Sequence, residues 1–517
     1  MRNTAILEAI RATTLKSEWK KMFQERAYLH DRLVDYAGWT IPNLFLETGD
    51  DSDTSPMEQQ HDYQSLGAQL VNHLSNKVAT VLFQPGKPFF RLSLTDQQIL
   101  ELVDTGMKET DIDELLSKAE KAGMKELAKA KIRTSVLQVI KSLIVLGNSL
   151  LYFPDGKSNT LTSQVYSLKD YVIKRDMSGA MTKLITRDTH SIASLPTDIL
   201  EVVQKHDSHL ESDDEVTLYT AIMRTDSDTF MVWQEIEDIM RVPRQIGKYA
   251  ERDLPWIPLT WNLSRGHSYG TGLVEEYAGD FHTYSSMAEA MVNLSALASD
   301  IKILIDPMGS TDVDALNESE SGTYVYGNAD DISYLQLEKL QDARFIIEQM
   351  EIYARRLGAG FLFNSAVTRT AERVTAEEIR MQANELEGSL GGVYSRLSED
   401  MQLPIARKTM ANVGEEFKNV EPTIVTGVES LSRTSELDQI MLFFADLARL
   451  ADLPPEAAKR LNYQGIISKL GAARQVDYKD FLVDEDTVKA NDRAAAALEA
   501  KTASAGKAPP QQQEQVI

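Results

Sequence analysis

Few residues in this chain have the types and spacing that chemistry needs. Gly266-His267-Ser268-Tyr269-Gly270 has the spacing of a hydrolase nucleophile elbow, and it stands between the β-like Ile257 to Trp261 and a helical pattern, which is the setting that exposes a reactive serine. Such a serine needs an acid and a histidine downstream. His282 is the only histidine after the motif, and its place within the next helix leaves no strand to carry the acid. The glycines are read instead as a tight entry into that helix. Gly156-Lys157-Ser158 has the end of a phosphate-binding loop, but Leu151 stands where the first glycine belongs. His206 and His209 form His-Asp-Ser-His without a third ligand at fixed spacing, and read as surface histidines. Asp213-Asp214 and Asp330-Asp331 read as solvated turns. No catalytic, cofactor-binding or metal-ligating residue is assigned, no cofactor is expected, and the chain is expected not to be an enzyme.

The elements that would position any site are organised around the run from Gly266 to about Asn412. From Leu273 to Leu304, Val274, Tyr277, Phe281, Ala288, Met291, Leu294, Ala298 and Ile301 recur at three- and four-residue spacings with no proline before Pro307. A helix of that length spans roughly 48 Å. Past Pro307 the pattern turns into short β-like pieces, Thr323 to Tyr326 and Ile332 to Leu337. A second helix is expected from Gln341 to Leu357, and a third from Val374-Thr375, where Thr375 and Glu378 have capping-box spacing, to about Asn412, with a kink or break at Pro404.

Before this run the chain reads as an α+β body. Helices are expected within residues 5–38, from Met57 past Leu70, Leu74, Val78 and Val81, over the charged residues 96–122, and over the apolar residues 125–146 ending at Gly147. The period then falls towards two. Tyr171 to Arg175 and Met181 to Arg187 form one hairpin, Val216 to Met223 and Thr229 to Ile236 another, and Trp256 to Trp261 a strand that Pro258 favours at a sheet edge. After Asn412 come a polar connection, a helix from Ser435 to Leu450, and an Ala-rich end after Val488 that reads as a disordered tail.

The chain has 517 residues, enough for two to four domains, and a formal net charge of -24. That charge argues against holding nucleic acid by neutralising phosphates. Zero cysteines exclude disulfides and thiolate chemistry and agree with a reducing compartment. No apolar stretch reaches the length of a membrane span, and the start lacks a signal-peptide pattern, so a cytoplasmic location is the default expectation from composition.

Longer blocks carry a resemblance. They are Thr40-Ile41-Pro42-Asn43-Leu44-Phe45, Leu66-Gly67-Ala68 leading to Leu82-Phe83, Ser268-Tyr269-Gly270 with Glu275-Glu276-Tyr277, Asp331 to Lys339, and above all Phe363 to Val367 with Glu372 to Arg380 and Leu390 to Ser395. With these the chain resembles the portal, or head-to-tail connector, proteins of podovirus-type bacteriophages. The resemblance implies a multi-domain α+β portal fold with long stem helices, a small α/β clip, a wing and a helical crown. Its segments would be a wing region at 1–270, a first stem helix at 271–304, a clip at 305–340, a second stem helix at 341–358, returning wing segments with a channel loop and long helix at 359–433, a crown at 434–487 and a tail at 488–517. It further implies a twelve-subunit homo-oligomeric ring at one capsid vertex of the virion, assembled in the host cytoplasm. Double-stranded DNA would pass through the ring; terminase, then a tail adaptor protein, would dock on it, and scaffold and major capsid protein would contact the wing. Arg355, Arg356, Arg369 and Arg373 are candidate DNA-proximal residues, with helix-surface ion pairing as the plainer role for them. The alternatives are a different ring-forming adaptor, or a serine hydrolase at Ser268.

Overall fold

The computed structural model describes residues 14–45, 63–83, 88–92, 94, 109–154, 161–195, 199–201, 203, 214–226, 228–237, 247–299, 302–335, 340–363, 385–386, 388–390, 392–414, 417, 420–424 and 445. Two compact units are Met1–Gly427 and Val428–Ile517, and of the second only Ala445, which is helical, is described. Apart from Ala445, the crown and tail segments lie outside the described residues, as do the Thr375 capping box, Gly156 to Ser158, His206, His209, Arg369 and Arg373.

Helices α1 (Leu15–Glu25), α2 (Ala27–Trp39) and α3 (Leu66–Leu82) lead into strand β1 (Phe90–Leu92) and helices α4 (Glu109–Lys129) and α5 (Ile132–Leu146). Helix α1 begins where Thr14 Oγ1 accepts from Ser17 N at 3.4 Å and the Glu235 carboxylate accepts from Leu15 N at 2.7 Å, so two N–H groups without intrahelical partners are satisfied, one of them by an anion suited to the helix dipole. Leu70, Leu74, Val78 and Val81 of α3 are buried, as their spacing predicts.

Eight strands follow: β2 (Asn148–Tyr152), β3 (Gln164–Tyr166), β4 (Tyr171–Arg175), β5 (Met181–Ser191), β6 (Glu215–Arg224), β7 (Thr229–Ile236), β8 (Gly247–Ala250) and β9 (Trp256–Thr260). Both expected hairpins form within the antiparallel order β4-β5-β6-β7-β8, with Val172 opposite Ile185 and Ile222 opposite Val232. The period of two sorts their side chains cleanly. Val172, Ile185, Tyr219, Ala221, Met231 and Trp233 face α1 with its Leu15, Trp19 and Met22, while Ile173, Leu184, Ile222, Phe230 and Val232 face the main core. The second sheet has the order β3-β2-β9, so Pro258 sits on an edge strand, where its missing N–H costs no ladder bond.

Next come α6 (Leu273–Glu276), α7 (Ala278–Ser299), β10 (Lys302–Ile305), the short α8 (Val313–Asn317), β11 (Ile332–Leu335) and α9 (Leu340–Gly360). Two expectations are corrected here. The helical pattern extended to Leu304, but the helix stops at Ser299 and Lys302–Ile305 is a strand paired antiparallel with Ile332–Leu335. Thr323 to Tyr326, read as β-like, is irregular backbone. The cause is that Ile303, Leu304 and Ile305 prolong the apolar run of α7, and a short apolar run does not by itself distinguish strand from helix.

The third long helix is interrupted. Gly392, at a φ of 82°, precedes α10 (Val393–Leu397); a π turn fills Ser398–Gln402; α11 (Leu403–Val413) carries Pro404 in its first turn. Proline has no N–H to offer the preceding turn, and the widened π turn is where the expected disruption falls. Strand β12 (Pro422–Ile424) then closes on β1, with Phe90 opposite Ile424.

Candidate assembly surface

The hairpin of α7 and α9 springs from a backbone corner. Gly147 ends α5 at a φ of 72°, and a Cβ there would lie 2.5 Å from Gly272 N, so only glycine fits by both conformation and space. Asn148, buried, then grips the incoming chain: its Oδ1 accepts from Gly270 N at 2.8 Å, and its Nδ2 donates to Gly270 O at 2.8 Å and Leu146 O at 3.0 Å. A Cβ on Gly270 would stand 2.8 Å from Asn262 O. Those contacts give the glycine its role in shaping the corner. Ser268 Oγ accepts from Arg175 N at 3.3 Å, Tyr269 Oη accepts from Ile173 N at 3.2 Å, and the His282 ring lies against Trp39 at 5.9 Å. The residues of the apparent nucleophile elbow thus lace the corner to β4.

From this root the helices run side by side. Phe281, Leu357 and Phe361 are fully buried against the core. Farther along, burial gives way: Val292 is 48% exposed, Leu297 57% and Phe345 62%, with Ile347 and Ile352 also open. Helix α7 carries apolar residues on every side and, of charged residues, only Asp280 and Glu289. Helices apolar all round belong to interiors, so α7 is built to be covered by more than α9.

The tip beyond the helices is held by hydrogen bonds. No side chain from 304 to 333 is buried. Asp331 Oδ2 accepts from Ser310 N at 2.7 Å, Thr311 Oγ1 at 3.0 Å and Thr311 N at 3.1 Å, and Asp312 caps α8. The Thr311 hydroxyl, with those amides, holds the Asp331 carboxyl below the usual carboxylate range. Met308, Tyr324 and Tyr326 are almost wholly exposed. Between Lys302 and Lys339 there is no basic residue and there are eight acidic ones, so the tip presents apolar and aromatic groups in an anionic field.

Of the four candidate arginines, two are described, side by side near the end of α9. Arg356 reaches Asp280 of α7 at 3.1 Å and lies 5.1 Å from the Tyr353 ring centre, while Arg355 meets Glu351 one turn back at 3.5 Å. Both are therefore ion-paired in the single chain; Arg356 ties the helices together, and Arg355 stays 73% exposed. The exposed Phe345, Tyr324 and Tyr326 were not singled out by sequence reasoning. The signal that could have found the hairpin surface is the lack of a polar face on α7.

Among the described residues, no helix is long and apolar enough to cross a membrane and no cluster of side chains could hold a metal ion. The family model described as "Bacteriophage head to tail connecting protein" matches residues 12–482. The chain is 34% identical over 483 residues to the portal protein of Escherichia phage T7, covering 91% of this chain and 88% of that protein. It is 35% identical over 474 residues to the portal protein of Enterobacteria phage SP6, covering 90% and 86%. A solved structure titled "Neck of empty GTA particle computed with C6 symmetry" aligns over 79% of this chain and 90% of its own, at 10% identity and a TM-score of 0.36.

Proposed function

The chain belongs to the family of bacteriophage head-to-tail connecting proteins, whose portal members it matches along most of its length, and from that membership and its uncovered surfaces we propose that it closes a twelve-subunit ring at one capsid vertex. The observation that carries the ring is the exposed apolar surface of α7 and α9. Burying a side chain such as Phe345 or Leu297 contributes about 1.5 to 3 kcal/mol, and a ring repeats that gain at every interface.

In this reading α7 and α9 are stem helices, the tip from 302 to 335 is the clip, and the body before Gly270 with the returning α10 and α11 is the wing. The genome enters and leaves as a duplex through the axis. Terminase docks during packaging and a tail adaptor protein afterwards; the acidic tip with its exposed tyrosines suits a basic partner that brings apolar pockets. Scaffold and major capsid protein contact the wing, and assembly takes place in the host cytoplasm. The excess of carboxylates supports passage without capture, because an acidic wall repels phosphate. Arg355 and Arg356, together with Arg369 and Arg373, would offer intermittent contacts to the duplex if they face the axis. The ring does no bond-breaking chemistry; ATP hydrolysis belongs to the terminase.

Native mass spectrometry of the purified protein, with end-on electron micrographs of the same sample, tests this. A closed ring of twelve with a hole wide enough for a duplex is the expected result. Subunits that stay unassociated even with scaffold protein present would overturn it.

A further inference from the structure

Helix α9 ends against α3 in a strained turn. Leu362 has a φ of 55°, the left-handed conformation that L side chains rarely take. Its N–H donates to Ala359 O at 3.2 Å and the Phe363 N–H donates to Gly358 O at 2.8 Å, the two-bond helix closure in which glycine usually supplies the left-handed residue. Leucine stands there instead, with its side chain buried in the main core together with that of Phe361. Strain of this kind persists only where the surroundings hold it.

His73 of α3 is one of the groups that hold it. Its ring meets the Phe363 ring edge-on, with centres 5.3 Å apart, and donates to the Leu362 backbone carbonyl. Nε2 is shut from solvent and has no hydrogen-bond partner among the described residues, so Nδ1 carries both the proton and the bond. A second proton, on Nε2, would be a buried N–H with nothing to accept it. Two charged groups act on the ring, Lys77 and Glu385. Burial, and after it the Lys77 ammonium, keep His73 below the usual histidine range, against the pull of the Leu362 carbonyl and Glu385.

One turn farther along the same face of α3, about 6 Å along its axis, Lys77 pairs with Glu385 at 2.7 Å, with its own side chain only 9% exposed. Phe363 and Glu385 are the described residues on either side of 364–384. The chain therefore leaves the body and rejoins it at adjacent points, and α3 sets both.

We propose that His73 and Lys77 are positioning residues that form a proton-sensitive clamp: Lys77 fixes one end of residues 364–384 through Glu385, and neutral His73 fixes the other by holding Leu362 and Phe363 in the turn that ends α9. The clamp does not depend on the ring proposed above; only its bearing on the reach of Arg369 and Arg373, which lie in that stretch of sequence, rests on that reading. Amide exchange of the full-length protein, corrected for intrinsic rates, tests it at Phe363 and at residues 385–386. The open turn takes up a proton near the ordinary histidine value of 6.5 and the closed turn only below it, so protection is complete above that value and is lost as pH falls through it. Exchange at Phe363 should rise up to about ten-fold between pH 7.5 and pH 5.5. His73→Gln keeps an N–H donor without a titrating ring and should abolish that pH response while retaining protection. His73→Ala should lose protection at both pH values. Lys77→Met should expose the amides of 385–386 and, by removing the charge beside the ring, reduce the acid response at Phe363. Exchange at Phe363 that ignores pH in the unaltered protein, an unchanged pH response in His73→Gln, or unchanged protection of 385–386 in Lys77→Met would each overturn the clamp.

Discussion

The Asn148 side chain and the Gly270 peptide exchange two hydrogen bonds, each of 2.8 Å, across 122 residues of sequence. Asn148 thereby supplies a donor and an acceptor at the same point, as a strand neighbour would, where the chain turns from β9 towards the hairpin helices. Asn148→Leu leaves Gly270 N, Gly270 O and Leu146 O without this partner. A loss of about 2 to 4 kcal/mol is expected, because buried backbone groups would lose their bonds together. Urea unfolding of the variant measures it.

The apolar surfaces of α7 and α9 should matter to assembly and little to the fold. Leu297→Glu with Phe345→Asp should change the stability of the isolated subunit by no more than about 0.5 kcal/mol, as surface substitutions usually do. The same pair should shift the protein from rings to monomers in native mass spectra. A large drop in subunit stability would mean that these side chains already have intramolecular roles.

At the tip, the Asp331 carboxyl is held low by Thr311 and Ser310. A group with a depressed folded pKa contributes its stabilisation above its unfolded value, about 3.9, and loses it as pH falls through the lower folded value. Amide exchange at Ser310 and Thr311 should therefore, once corrected for intrinsic rates, be protected at neutral pH and lose protection only in strong acid. Asp331→Ala should lose that protection at every pH.

The opposite sign holds at β5. Burial raises the Asp188 carboxyl above its usual range, despite a bond from Tyr166 Oη at 3.1 Å. Ionising it costs stability in the folded state, so Asp188 favours folding more as pH falls from its raised folded value towards its unfolded one. Asp188→Asn should flatten the pH dependence of stability in that window and should be neutral or stabilising at pH 7. A clear loss at pH 7 would show that the charged form is needed by Tyr166.

What was legible in the sequence was whatever repeats locally. Leu70, Leu74, Val78 and Val81 declared the buried face of α3, and Asp176-Met177-Ser178-Gly179 declared a hairpin whose turn Asp176 Oδ1 does hold through Ser178 N at 2.8 Å. The end of α7 was not legible, because Ile303 to Ile305 satisfy a helical and a strand pattern alike until Ile332–Leu335 is available as a partner. The corner at Asn148 was not legible either, because it joins Asn148 to Gly270 across 122 residues and no spacing rule reaches across such a separation. The block match to a family supplied the function, which no catalytic spacing could have done.

The π turn at Ser398–Gln402 has a consequence for how this backbone can vary. A π turn holds one residue more than the α turn it replaces, the signature of a single-codon insertion absorbed within a helix. Here it is fastened by Gln402, which donates to Leu82 O and accepts from the Ser398 hydroxyl at 2.8 Å. Deleting one residue between them would restore an ordinary helix and rotate everything from Leu403 to Val413 by about 100°. Ile405, Ala406 and Met410, all buried, would swing out of the core together. The extra residue is thus locked in place, because its removal requires simultaneous compensating changes along three turns of helix.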